Sequence, residues 1–108
     1  MLATTRVKTR TGVAVHSSEA PAYAFPGSVL ASQVDGEMVL LDLRREQYYS
    51  LDEVAALIVT QLTQTPRRSV MAALHEAFEV PAEVLERDVQ RLIHQLLEAG
   101  LLTCLESG

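Results

Sequence analysis

Between residues 28 and 49 the apolar positions come in short runs; from residue 53 onward they recur every three or four. The first pattern suits strands and the second suits helices. "VLASQV" and "EMVLLD" flank Asp35-Gly36. A type I′ turn needs positive φ at both central residues, so Asp-Gly between two β-rich runs predicts a hairpin. Its strands span 29–34 and 37–43. "RRE" at 44–46 makes the next turn, and 47–49 form a short third strand. This meander leaves an edge strand at each side, with unpaired N–H and C=O groups.

The helical half carries its own start and stop signals. Ser50 as N-cap with Glu53 three residues on fits a capping box, with Tyr49 and Val54 placed for a hydrophobic staple. Val54, Leu57, Ile58 and Leu62 form that helix's apolar stripe, and Pro66 ends it. A second helix runs from an N-cap at Ser69 to about Phe78, with Met71, Leu74 and Phe78 on one face. Pro81 suits the first position of a third helix. Leu85, Val89, Leu92, Ile93, Leu96 and Leu97 give it one buried face. Gly100 is the expected left-handed stop, and Leu101 packs back on the last turn. "LLTCL" adds a short terminal strand. The predicted class is α+β, winged helix-turn-helix-like: a three-stranded antiparallel sheet followed by three helices, βββααα. Pro26-Gly27 marks the start of the compact domain, residues 26–105. Residues 1–25 read as an N-terminal arm, with a possible strand around Val7, Val13 and Val15 that has no evident partner.

Composition narrows the function. The chain has 108 residues, 48% of them apolar, enough to build one core without metals or disulfides. The single cysteine, Cys104, excludes an internal disulfide and reads as a small apolar residue in a reducing compartment. No apolar run is long enough for a membrane span or a secretory signal, so a soluble, cytoplasmic protein is expected. Residues 1–20 hold three basic groups against one acidic, a charge of +2; the remainder holds six against thirteen, −7. Such a body repels a polyanion.

Chemistry is sparse. His16, His75 and His94 match no metal-ligand spacing, and no phosphate-binding or nucleophile motif occurs. Glu83, Glu86 and Glu98 fall on the outer faces of the third helix. Neither catalysis, metal nor cofactor is expected. What remains is binding. An edge strand beside a long helix can hold an extended peptide that adds as a further strand. Tyr48 and Tyr49 alternate across the third strand. Either one packs against the first helix while the other lines a cleft, or both pack locally. On the third helix Val84, Asp88, Arg91 and Gln95 form one stripe of mixed polarity, either a groove wall or a solvated flank.

"PGSVLASQVDGEMVLLDLRREQYYSLDEVAALI" followed by "SVMAALHEAFEVPAEVLERDVQRLIHQLLEAGLL" resembles the PqqD-like family. These are recognition elements that bind leader peptides of ribosomally made, modified peptides. The "LLDLR…YYSL" variant is most similar to the stand-alone leader-binding half of split lasso-peptide B proteins. The resemblance implies that a leader adds to the third strand and lies against the third helix. It nominates Leu43, Gln47, Tyr48 and Tyr49 on the strand, and Val84, Asp88 and Arg91 on the helix. It also implies partners: a precursor leader, a separate transglutaminase-like cysteine protease, and a cyclase. Nucleic acid and membrane are not expected partners. An alternative is a PqqD-type chaperone for a radical SAM enzyme. A winged-helix DNA-binding regulator fits less well, because Glu83, Glu86, Asp88 and Glu98 accompany Arg87 and Arg91 on the would-be recognition helix. The arm departs from the family pattern. Its "YAFP", Tyr23 to Pro26, either belongs to the Pro-Gly turn or mimics the Y-x-x-P of lasso leaders.

Overall fold

The computed structural model describes residues 21–105. Among them run β1 (Tyr23–Ala24), β2 (Val29–Val34), β3 (Glu37–Asp42) and β4 (Gln47–Leu51). Then come α1 (Glu53–Gln64), α2 (Arg67–Ala77), α3 (Ala82–Glu98) and β5 (Thr103–Cys104). The class is α+β as expected, and the winged-helix label describes it only loosely. The strand expected near Val7 to Val15, and His16, lie outside the described residues.

The β2–β3 hairpin closes on Asp35 and Gly36, with φ of 53° and 85°, the two positive values its turn demands. A Cβ on Gly36 would lie 2.7 Å from Glu53 Oε2, so this glycine also makes room for the first residue of α1. β3 pairs with β4 in antiparallel register from Asp42↔Gln47 to Met38↔Leu51, giving the sheet order β2-β3-β4.

The long β3–β4 ladder changes the expected start of α1. Leu51 still pairs with Met38, so Ser50 is a strand residue and not a cap. Asp52 takes that role, its carboxylate accepting the Ala55 N–H at 2.9 Å. The staple fails for the same reason. Tyr49 is held opposite Leu40 in the sheet, and Val54 is 44% exposed. The buried face of α1 is Ala56, Ile58, Val59 and Leu62. α2 begins at Arg67 behind Pro66, with Ser69 inside its first turn, donating its N–H to the Pro66 carbonyl. Val70 and Leu74 are its buried residues, with Met71 and Phe78 packed beside them. Pro81 precedes α3 as its N-cap instead of opening it.

α3 buries Leu85, Val89, Ile93 and Leu96, with Leu92 partly covered and Leu97 at the margin. Gly100, at φ 77°, stops it. Leu101 then donates its N–H to the Leu96 carbonyl at 2.9 Å and buries its side chain to 1% exposure. The last two residues of this turn lead into β5, which pairs with β1: Tyr23↔Cys104 and Ala24↔Thr103. Ala22 is buried, and its carbonyl accepts the Leu105 N–H. The packed unit therefore includes residues on the N-terminal side of the Pro26 boundary. Cys104 is exposed, which corrects its expected apolar role. Its two-residue strand leaves both Thr103 and Cys104 exposed.

Met38, Leu40 and Val29 join the helical residues in one core. Paired residues share a sheet face. The helix-facing side therefore carries Val29, Ala31, Gln33, Met38, Leu40, Asp42, Gln47, Tyr49 and Leu51. The other side carries Leu30, Val34, Val39, Leu41, Tyr48 and Ser50. No helix among the described residues is long and apolar enough to cross a membrane.

Candidate functional site

β4 is an edge strand: among the described residues it pairs with β3 alone. Which of its main-chain groups are open follows from one bond. Leu43 donates its N–H to the Ser28 carbonyl at 2.9 Å, so Leu43 directs its peptide groups toward β2. Direction alternates along a strand. Asp42, Leu40 and Met38 therefore bond toward β4, and their partners Gln47, Tyr49 and Leu51 bond inward. Tyr48 and Ser50 are left with N–H and C=O pointing outward. These are the groups an added strand would meet.

The side chains sort the other way. Gln47 and Tyr49 lie on the helix-facing side, and the Tyr49 hydroxyl donates to Gln47 Oε1 at 3.1 Å. Tyr49 packs against the core while Gln47 is exposed. Tyr48 lies on the opposite face, 72% exposed, in a cross-strand row with Leu41 and Leu30. Leu43, half exposed just past β3, continues that face by alternation. The four strand-side residues thus do not all face the same way. Gln47 and Tyr49 point toward the helical layer, whereas Tyr48 and Leu43 point away from it. Of the two tyrosines, Tyr49 is the one on the helix-facing side, and Tyr48 is the one whose peptide groups point outward from the edge.

On α3, Val84 is 37% exposed, and Asp88, Arg91 and Gln95 are exposed. Their flank adjoins the buried stripe through the partly covered Leu92. His94, on the far side, pairs with Glu98 at 3.2 Å, both 70% exposed. No three of His, Cys, Asp and Glu converge as metal ligands among the described residues.

Sequence reasoning missed Asp42. Its carboxylate is buried, 4% exposed, and Oδ1 accepts the N–H groups of Arg44 at 3.0 Å and Arg45 at 3.3 Å. The signal was available, since Asp opening a turn accepts from amides two and three residues on. A hollow of about 50 Å³ beside it is lined by Ser28, Asp42, Arg44, Arg45 and Gly100. The Tyr-Ala-Phe-Pro segment is also now located. Its first two residues pair with β5 and not with β4, so in this fold it does not fill the domain's own β4 edge.

The family model described as coenzyme PQQ synthesis protein D (PqqD) matches residues 37–102. The chain belongs to the PqqD family. Two solved structures are similar to it. One is described as lasso peptide synthetase B1 complexed with the leader peptide; it is 32% identical, with TM-score 0.69, over 76% of this chain and 98% of that one. The other, TbiB1 in complex with the TbiA(beta) leader peptide, is 26% identical, with TM-score 0.66, over 73% and 93%. No curated protein matches the chain. The family match spans β3 through the end of α3, the segment that contains both the open edge and the α3 flank.

Proposed function

We propose that this PqqD-family chain binds the leader segment of a ribosomally made precursor peptide, without catalysing a reaction itself. The leader adds as a strand to β4 and is presented to a separate peptidase in lasso-peptide biosynthesis. The observation that carries the reading is the β4 edge, where Tyr48 and Ser50 direct outward peptide groups that have no partner strand among the described residues. Both similar structures, by their descriptions, hold leader peptides. A guest strand there would place alternate side chains toward the helical layer. Gln47 and Tyr49 would meet them from β4, and Val84, Asp88 and Arg91 from α3. Tyr48 and Leu43 would flank the guest on the outer face. Ordering a flexible leader costs entropy, so the expected affinity lies between micromolar and nanomolar, roughly −8 to −12 kcal/mol.

The test is a titration with fluorescein-labelled TbiA(beta) leader. Ser50→Pro removes one outward N–H and no ladder bond. It is expected to weaken binding roughly tenfold, the effect of about 1.4 kcal/mol, while Ser50→Ala binds as the native chain does. Equal affinities for both variants would remove strand addition at β4.

The PqqD description of the family model favours a second reading, a peptide chaperone for a radical SAM enzyme. It uses the same edge and differs in the partner. Pull-down of a purified transglutaminase-like peptidase by the leader-loaded chain separates the two.

A further inference from the structure

The β3–β4 turn is tied in two directions. Asp42 Oδ2 lies 3.8 Å from Arg45 Nη1, and the same Nη1 donates to the Ala99 carbonyl at 2.9 Å. Ala99 is the C-cap of α3. Carbonyls at a helix end have no helical partner, and a cation there suits the helix dipole. One guanidinium therefore connects a buried carboxylate, at the last residue of β3, to the end of a helix 54 residues away in sequence. Two residues beyond Arg45, β4 begins. Glu46 between them takes a left-handed φ of 57°, so the strand leaves the turn along a set path.

We propose that Asp42, Arg45 and the Ala99 carbonyl form a clamp that sets the spacing of β4 and α3. Arg45 is then a positioning residue for peptide capture that does not touch the peptide. This rests on the leader-binding reading given above. A guest on β4 gains side-chain contact with α3 only if the helix stands at the right distance. Holding that distance beforehand removes an ordering cost from binding. As a simple ion pair Arg45 would contribute little, because its side chain is 58% exposed. Its second bond, to a helix end, is what a mere surface pair lacks.

Two measurements on the full chain test the clamp. The first needs no peptide. Amide exchange in Arg45→Ala is expected to quicken at Tyr49 and Leu51 of β4 and at Leu101 and Leu102 after α3, but not inside α1. Arg45→Lys, which retains a donor and a charge, restores the slower rates. Unchanged exchange at either end overturns the clamp. The second is the titration with labelled TbiA(beta) leader, with Ser50→Pro as reference. Arg45→Ala is expected to weaken binding ~3- to 30-fold, the range for residues that modulate a site without contacting its ligand, with Arg45→Lys recovering most of it. If Ser50→Pro weakens binding and Arg45→Ala does not, the positioning role falls while the β4 reading stands. If Ser50→Pro has no effect, or the native chain does not bind, the capture role falls with the reading beneath it.

Discussion

The sheet has two free margins that differ in what lies beneath them. β2 and β4 each pair with β3 alone among the described residues, so each offers a row of main-chain donors and acceptors. On β2 the residues after Val29 are all exposed, including Ala31 and Gln33 on the helix-facing side. On β4 the helix-facing Tyr49 and Leu51 pack against the core. A strand added to β2 would gain peptide hydrogen bonds in water, which are worth little net. A strand added to β4 would gain them beside apolar cover. Pairing capacity is common to both margins, and the helical layer gives one of them a floor.

The largest effect should come from the strand the two margins share. Leu40 is fully buried between β2 and β4, and Leu40→Ala should cost ~2–5 kcal/mol in chemical denaturation. A loss well below that range would mean that the sheet is not seated on the helices as described. Next comes a direct contest between the margins. By the same alternation that exposes Ser50, Ala31 points its peptide groups outward on β2. Ala31→Pro should leave leader affinity within about twofold, where Ser50→Pro loses roughly tenfold. The reverse order would move the site to β2.

A smaller effect sharpens where β4 ends. Asp52→Ala should destabilise the domain by about 1 kcal/mol through loss of the α1 cap, and Ser50→Ala by less than half of that. Thermal melts of the two variants compare the cap at Asp52 with the one expected at Ser50. Smallest of all is His94→Ala, on the face of α3 remote from both margins. Its exposed pair with Glu98 should contribute less than about 0.5 kcal/mol, and leader titration should not detect its loss.

Errors in the sequence reading cluster at the junction of β4 and α1. Ser50 and Glu53 match a capping box in type and spacing, but that signal is local, and pairing with β3 competes for the same segment. Leu51 opposite Met38 decides that contest. Asp52 supplies an equivalent cap two residues later, so little capping energy is lost. The tyrosine pair shows a similar limit. That Tyr48 and Tyr49 face opposite ways was legible from alternation. Which of them faces the helices depended on the register with Leu40 and Leu41.

By itself the sequence determined the local elements: the Asp35-Gly36 turn, the spaced leucines of α3, the stop at Gly100 and the family resemblance. These rest on torsional preference and on periodicity, which act within a few residues. Tertiary structure alone decided which face each tyrosine takes, that Tyr23 pairs with Cys104, and that Arg45 reaches Ala99. Those pairings join residues far apart in the chain, and only the packing of sheet on helices selects among the many contacts that local preference leaves equally open.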